Sequence, residues 1–243
     1  MVETVETGVT GLDEILNGGL VKDSTVLVSG NPGTGKSLFG IQYLHTGVSE
    51  HDERGIYISF EEDAEAIREA ATSIGFDDFD EMVEAGDIKI YDKTEMLRES
   101  DFNATLDTLL EDFADTSYDR LVLDSLTMFQ LFFDDEAEER TYLLKFSDIL
   151  KRNGLTSLLI NEQGAVFPET EIGLENFLTD GNIYLIQTPT EDGVNRYAWV
   201  AKMRKQDIDT DIFPMEIAEG GLTVYDKASG FSMMGGDDPA AGF

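Results

Sequence analysis

The sequence predicts an α/β fold: a central, mostly parallel sheet with helices on both faces, followed by C-terminal antiparallel hairpins. Three observations predict it. Residues 24–29 are short and rich in β-branched side chains, and they run directly into Gly30-Asn31-Pro32-Gly33-Thr34-Gly35-Lys36-Ser37 and then into the helically spaced residues 38–44. Nearly all-apolar strand segments then alternate with amphipathic helical ones as far as residue 161, the pattern of a parallel sheet covered on both faces. Beyond residue 180 that alternation stops, and two extended segments flank Pro189-Thr190-Glu191-Asp192-Gly193, a hairpin signal.

In chain order, residues 8–20 read as one short helical turn closed by Gly18-Gly19. The strand at 24–29, the glycine loop and the helix from Leu38 follow. Residues 55–60 form the second strand. In the next helix Ala64, Ile67, Ala70, Ala71 and Ile74 share a face, and Gly75 stops it. Residues 88–91 are a third, short strand. Leu106, Leu109, Leu110 and Phe113 mark another amphipathic helix, and residues 121–124 a fourth strand. Tyr142, Leu143, Phe146, Ile149 and Leu150 line the inner face of a longer helix that ends at Asn153-Gly154. Residues 157–161 are the fifth strand. Residues 183–186 and 197–201 then pair as the first hairpin, with a smaller one around Gly220-Gly221. Trp199 is expected to pack in the core or on the sheet. From Lys227 on, Gly, Ser, Asp and Ala dominate. The reading is one ordered domain over residues 1–226 and a mobile tail over residues 227–243.

Composition narrows the function. The 243 residues are 41% hydrophobic, enough for a real core, and contain no cysteine, so disulfides and thiolate metal sites are excluded. His45 and His51 read as surface histidines rather than a metal pair. No apolar run is long enough to span a membrane, and the acidic start lacks a signal-peptide pattern, so a cytoplasmic protein is expected. Fifty Asp and Glu face 17 Lys and Arg, a formal net charge of −33. Such a surface repels itself at low salt, whereas at molar salt the Debye length falls to ~3 Å. The carboxylates are spread through folded-looking segments, which suits a salt-loaded cytoplasm and argues against a nucleic-acid surface, since that needs clustered cations.

The glycine stretch satisfies the phosphate-loop pattern G-x-x-x-x-G-K-[ST] in its strand–loop–helix context. Gly30, Asn31, Pro32, Gly33, Thr34, Gly35, Lys36, Ser37 and Leu38 are the expected nucleotide-binding set. Backbone N–H groups and the helix N-terminus would face phosphate oxygens. Lys36 would reach the β- and γ-phosphates, and the Ser37 hydroxyl would ligate Mg²⁺. Asp124 ends an apolar strand, the Walker B position; a strand-end Asp is also a common turn residue, but after such a loop the Mg²⁺ role is favoured. Glu61 and Glu62 follow the second strand, at the carboxyl edge where ligands bind. They suit either a base for the attacking water or a solvated turn that favours the next helix's N-terminus.

Gly11-Leu12-Asp13, Leu16, Gly18-Gly19-Leu20, the phosphate loop, Phe60-Glu61-Glu62, Leu123-Asp124-Ser125 and Lys202-Met203-Arg204 occur together and in order. In this set the chain resembles the KaiC-like ATPases of the RecA superfamily over roughly residues 7–226. The resemblance implies a RecA-like fold with the fifth strand between the Walker A and Walker B strands. It also implies Asn161 or Gln163 as a γ-phosphate sensor and Glu61 with Glu62 as catalytic glutamates. Lys202 and Arg204 would reach the neighbour's nucleotide in a homohexameric ring. With the charge, it points to a haloarchaeal single-domain member; the clock protein of the family carries two such domains. There, Ser and Thr phosphoacceptors lie shortly before a Thr-Asp pair. Here Thr179-Asp180 follows Asn176, Phe177 and Leu178, so autophosphorylation is not expected. The implied function is an ATP-binding, ATP-hydrolysing regulatory protein in signalling or clock-like regulation, acting on an unidentified partner protein. The alternatives are a nucleotide-loaded switch that hydrolyses little and a RadA-like recombination mediator, which the charge disfavours.

Overall fold

The computed structural model describes residues 2–92, 117–131, 133, 135–164, 173–190 and 193–227. The helix expected around Leu106 to Phe113, Glu191 and Asp192 of the first hairpin turn, and the tail beyond Lys227 lie outside them.

The chain opens with a small antiparallel pair, β1 (Thr4–Val5) and β2 (Leu20–Val21), enclosing α1 (Leu12–Ile15), which buries Leu12 and Ile15. Then come β3 (Thr25–Gly30), α2 (Lys36–His51), β4 (Gly55–Ser59), α3 (Ala64–Ser73), α4 (Phe79–Ala85), β5 (Ile88–Tyr91) and β6 (Arg120–Asp124). Next are α5 (Leu126–Gln130), α6 (Glu136–Arg152), β7 (Thr156–Glu162), α7 (Leu174–Leu178), β8 (Gly181–Thr190), β9 (Gly193–Met203), β10 (Ile212–Ala218) and β11 (Gly221–Val224). The main sheet has nine strands in the order β11-β10-β9-β8-β3-β7-β6-β4-β5. From β8 to β5 all neighbours are parallel; β9, β10 and β11 add antiparallel pairs. β7 therefore lies between β3 and β6, the order the resemblance implied.

The parallel strands are buried on both faces because successive side chains feed two different cores. Val26 and Val28 of β3 join Phe39, Tyr43 and Val122 under α2, whereas Leu27 joins Leu123, Leu143 and Phe146 under α6. Helix α3 begins where the Asp63 carboxylate accepts the Ala66 N–H at 3.0 Å, and it ends before Gly75 at φ 91°. α4, α5 and α7 escaped the sequence reading because five to seven residues give too few turns for periodicity to show. Trp199 lies on the sheet, stacked on Tyr184 with ring centroids 5.1 Å apart. His45 departs from its expected surface setting. Its side chain is 15% exposed, stacks on Phe76 at 4.2 Å and bonds to Asp78 at 2.7 Å, because the turn before α4 packs on that side of α2.

Several of the scarce cations are in exposed pairs, Lys22 with Glu3, Arg68 with Asp80 and Arg152 with Asp148. Solvent and salt screen such pairs, so they contribute too little to offset a surface of −33. The melting temperature is therefore expected to keep rising with KCl well past the range that screens an ordinary protein. A melting temperature that is flat from dilute buffer to molar KCl would contradict this.

Candidate active site

β3 ends at Gly30 in the middle of the sheet, opposite Glu162 of β7 and Leu185 of β8. The loop that follows sits at the carboxyl edge, where α/β sheets bind ligands. Gly33 and Gly35 take φ values of 80° and 96°, a left-handed backbone that side-chain-bearing residues avoid. That conformation turns the chain tightly into the N-terminus of α2. The loop is fastened from several directions. The Thr34 hydroxyl donates to the Asn31 carbonyl at 2.9 Å, Asn31 Nδ2 to the Gln163 carbonyl at 2.8 Å, and Gln187 Nε2 to the Pro32 carbonyl at 3.0 Å. Lys36 is buried on the first turn of α2, and its Nζ donates to the Asn31 carbonyl at 3.0 Å. Burial pushes its pKa down, opposed by the charges of Glu162, Asp124 and Glu61. Leu38, the last residue of the expected set, packs against the core below.

Asp124 closes β6 beside Ser59 of β4 and Ile160 of β7. Its side chain is buried and accepts the Tyr57 hydroxyl on Oδ2 at 2.6 Å; the Ser37 hydroxyl bonds to it as well. Burial raises the Asp124 pKa, and the bonds from Tyr57 and Ser37 pull it back. A hydroxyl and a carboxylate side by side, with no sulfur or imidazole, are a donor set that suits Mg²⁺.

Glu61 reaches the same place. The Ser125 hydroxyl donates to its Oε1 at 2.6 Å, and its charge acts on both Lys36 and Asp124. Glu62 is held differently: its backbone N–H donates to Ser59 Oγ at 2.9 Å, and its charge acts on Tyr57. The third acidic residue of that turn, Asp63, is the cap of α3, so part of the stretch does serve the helix. Asn161, at the end of β7, accepts the Thr127 hydroxyl at 3.1 Å. Gln163 continues past the strand and donates its N–H to the Gly30 carbonyl at 3.1 Å.

Lys202 and Arg204 are elsewhere in their own chain. Met203 pairs with Gly181, and Gly181 pairs with Val26, four residues before the loop begins at Gly30. At ~3.3 Å per residue this is roughly 13 Å down the strands, toward the opposite edge. There Lys202 Nζ donates to the carbonyls of Asn176 and Thr179, and Arg204 to that of Phe177. Arg204 also lies 3.5 Å from Asp180. Neither cation can serve its own phosphate loop from that position.

Three residues around the loop escaped the sequence reading. Tyr57 looks like any aromatic in a strand, and Glu162 and Gln187 follow no local motif. Tyr57 had one usable signal: it alternates with Ile56 and Ile58 and so shares a face with Ser59 at the strand's carboxyl end.

A family model described as "ATPase: KaiC" matches residues 5–229. The chain belongs to the KaiC family of ATPases. The crystal structure of a KaiC-like protein from Pyrococcus horikoshii matches at a TM-score of 0.81 and 31% identity, covering 93% of this chain and 100% of that one. A UPF0273 protein of Pyrococcus furiosus is 32% identical over 242 residues, 93% of this chain and 95% of its own. The circadian clock oscillator protein KaiC of Prochlorococcus marinus is 29% identical over 92% of this chain but only 46% of its own. This chain thus spans about half the length of such clock relatives. Its fold is that of the KaiC and RecA-like proteins, and a P-loop domain of the ATPase type, with ATP as its nucleotide, follows from the family. Among the described residues no helix is long and apolar enough to cross a membrane.

Proposed function

We propose that this KaiC-family chain is a Mg²⁺-dependent ATPase that acts as a regulatory protein, as one RecA-like domain over residues 1–226 with a tail at 227–243. The observation that carries the reading is the convergence of Lys36, Ser37, Asp124 and Glu61 at the end of β3, β4 and β6. In this reading the loop from Gly30 to Leu38 holds the β- and γ-phosphates through its backbone N–H groups, Pro32 excepted, and through the Lys36 ammonium. Ser37 and Asp124 hold Mg²⁺, which when bound offsets the negative charge of the phosphate oxygens. Glu61, backed by Glu62, orients the attacking water and accepts its proton. Asn161 and Gln163, flanking the loop, sense the γ-phosphate. The surface of −33 suits a haloarchaeal, salt-loaded cytoplasm and disfavours a nucleic-acid substrate. The regulated partner is a protein, and the working assembly is a homohexameric ring.

Steady-state phosphate release in molar KCl, with and without DNA, tests the proposal. ATP-dependent release that DNA does not stimulate supports it. Glu61→Gln keeps size and hydrogen bonding but removes the base. It is expected to bind ATP as the parent does and to lose about 10²–10⁴-fold in turnover. Turnover that survives in both Glu61→Gln and Glu62→Gln would reduce the pair to a solvated turn.

A second reading, a nucleotide-loaded switch with little hydrolysis, is favoured by one contact. Glu61 Oε1 already accepts the hydrogen bond of the Ser125 hydroxyl at 2.6 Å, which competes with a water for that oxygen. Tight ATP binding with almost no phosphate release would select it.

A further inference from the structure

We infer that Tyr57 is a positioning residue that aims the Asp124 carboxylate and thereby sets the affinity of the site for Mg²⁺. The inference rests on the proposal that Ser37 and Asp124 hold that ion. Tyr57 lies on β4 opposite Val122 of β6, and both side chains point into the core beneath α2. Asp124, two residues beyond Val122, leaves β6 on the same face. The Tyr57 ring is long enough to cross that diagonal, and its hydroxyl meets Asp124 Oδ2 at 2.6 Å. Both side chains are buried, with Tyr57 1% exposed.

The hydroxyl adds nothing to packing that a phenylalanine ring would not supply. What it adds is a fixed donor to a carboxylate that would otherwise rotate about its last bond. With Oδ2 held by Tyr57, the Asp124 carboxylate stays in place beside Ser37, whose hydroxyl bonds to Asp124 and to Tyr57. Ser37 spends its one proton on this pair and keeps its oxygen lone pairs for a cation. A partner that orients a metal-binding carboxylate in this way is commonly worth 10–100-fold in metal affinity.

The test is Tyr57→Phe, which keeps the ring. Thermal midpoints are measured at fixed KCl and fixed ATP across a Mg²⁺ titration, and Mn²⁺ binding to the ATP complex is followed in parallel by electron paramagnetic resonance. The Mg²⁺ concentration at half-maximal stabilisation is expected to rise about 10–100-fold, with ATP binding in excess EDTA unchanged. In an Asp124→Asn background the same substitution should shift the midpoint no further, because the two residues act as one unit. A Mg²⁺ midpoint equal to that of the parent overturns the inference. So does an equal loss of ATP binding with and without Mg²⁺, which would make Tyr57 a packing residue. A parent protein that shows no Mg²⁺-dependent stabilisation with ATP removes the metal reading itself, and this inference with it.

Discussion

Lys36→Ala is expected to lower ATP turnover by about 10²–10³-fold or more, the loss typical of removing one preorganised charge stabiliser. ATP affinity should fall with it. Lys36 is on the first turn of α2 with its Nζ drawn back to the Asn31 carbonyl, so the ammonium lies against the loop itself. The variant should still fold. Burial depresses the Lys36 pKa, which means that the charged form is held at a cost in the folded protein. Taking that charge away relieves the cost but also removes the Asn31 bond and the charge that Lys36 brings to Asp124, so the melting temperature without nucleotide should change little. The stabilisation that saturating ATP confers on the parent, about 2.7 kcal/mol at a hundredfold excess over Kd, should disappear. Unchanged turnover and an unchanged ATP-dependent shift would place the nucleotide elsewhere.

What could be read from the sequence is what is decided locally. The loop from Gly30 to Ser37 is one continuous motif, and its turn and helix cap are set by its own glycines. The strands β3, β4, β6 and β7 were legible because burial on both faces makes a run of apolar residues that needs no partner to be recognised. Strand order is different. That β7 separates β3 from β6 depends on which crossovers pack together, and only the family resemblance supplied it. The site follows the same division. Lys36 and Ser37 belong to one motif, whereas the Tyr57–Asp124 contact joins residues 67 apart on separate strands. Asp63 shows the limit from the other side. It sits in the same acidic turn as Glu61, yet it caps α3 while Glu61 bonds to Ser125 beside Asp124. Composition cannot separate two such neighbours; the direction of each side chain does.

Arg204→Ala is expected to leave ATP binding intact and to cost about 10³–10⁵-fold in hydrolysis, the range for a lost charge-stabilising arginine in phosphoryl transfer. The reason lies in where Arg204 is. It follows the end of β9, beyond the pairing of Met203 with Gly181, at the opposite edge of the sheet from its own Gly30. Lys202 beside it is tied to the carbonyls of Asn176 and Thr179, whereas half of the Arg204 side chain faces solvent. An arginine that cannot reach its own loop can still complete a neighbour's if subunits meet head to tail, each with its loop against the next subunit's β9 end. The alternative is that Arg204 only braces α7 through the Phe177 carbonyl and Asp180. Mixing two inactive variants separates these. A Lys36→Ala subunit has a dead loop but an intact Arg204; an Arg204→Ala subunit has the reverse. In a ring that exchanges subunits at random, about a quarter of the head-to-tail contacts join an intact loop to an intact arginine. Phosphate release should then recover to roughly that share of the parent's rate, measured in the salt at which both variants fold. If mixed rings are demonstrated and no activity returns, or if the parent is fully active as a dilute monomer, the arginine serves only its own chain.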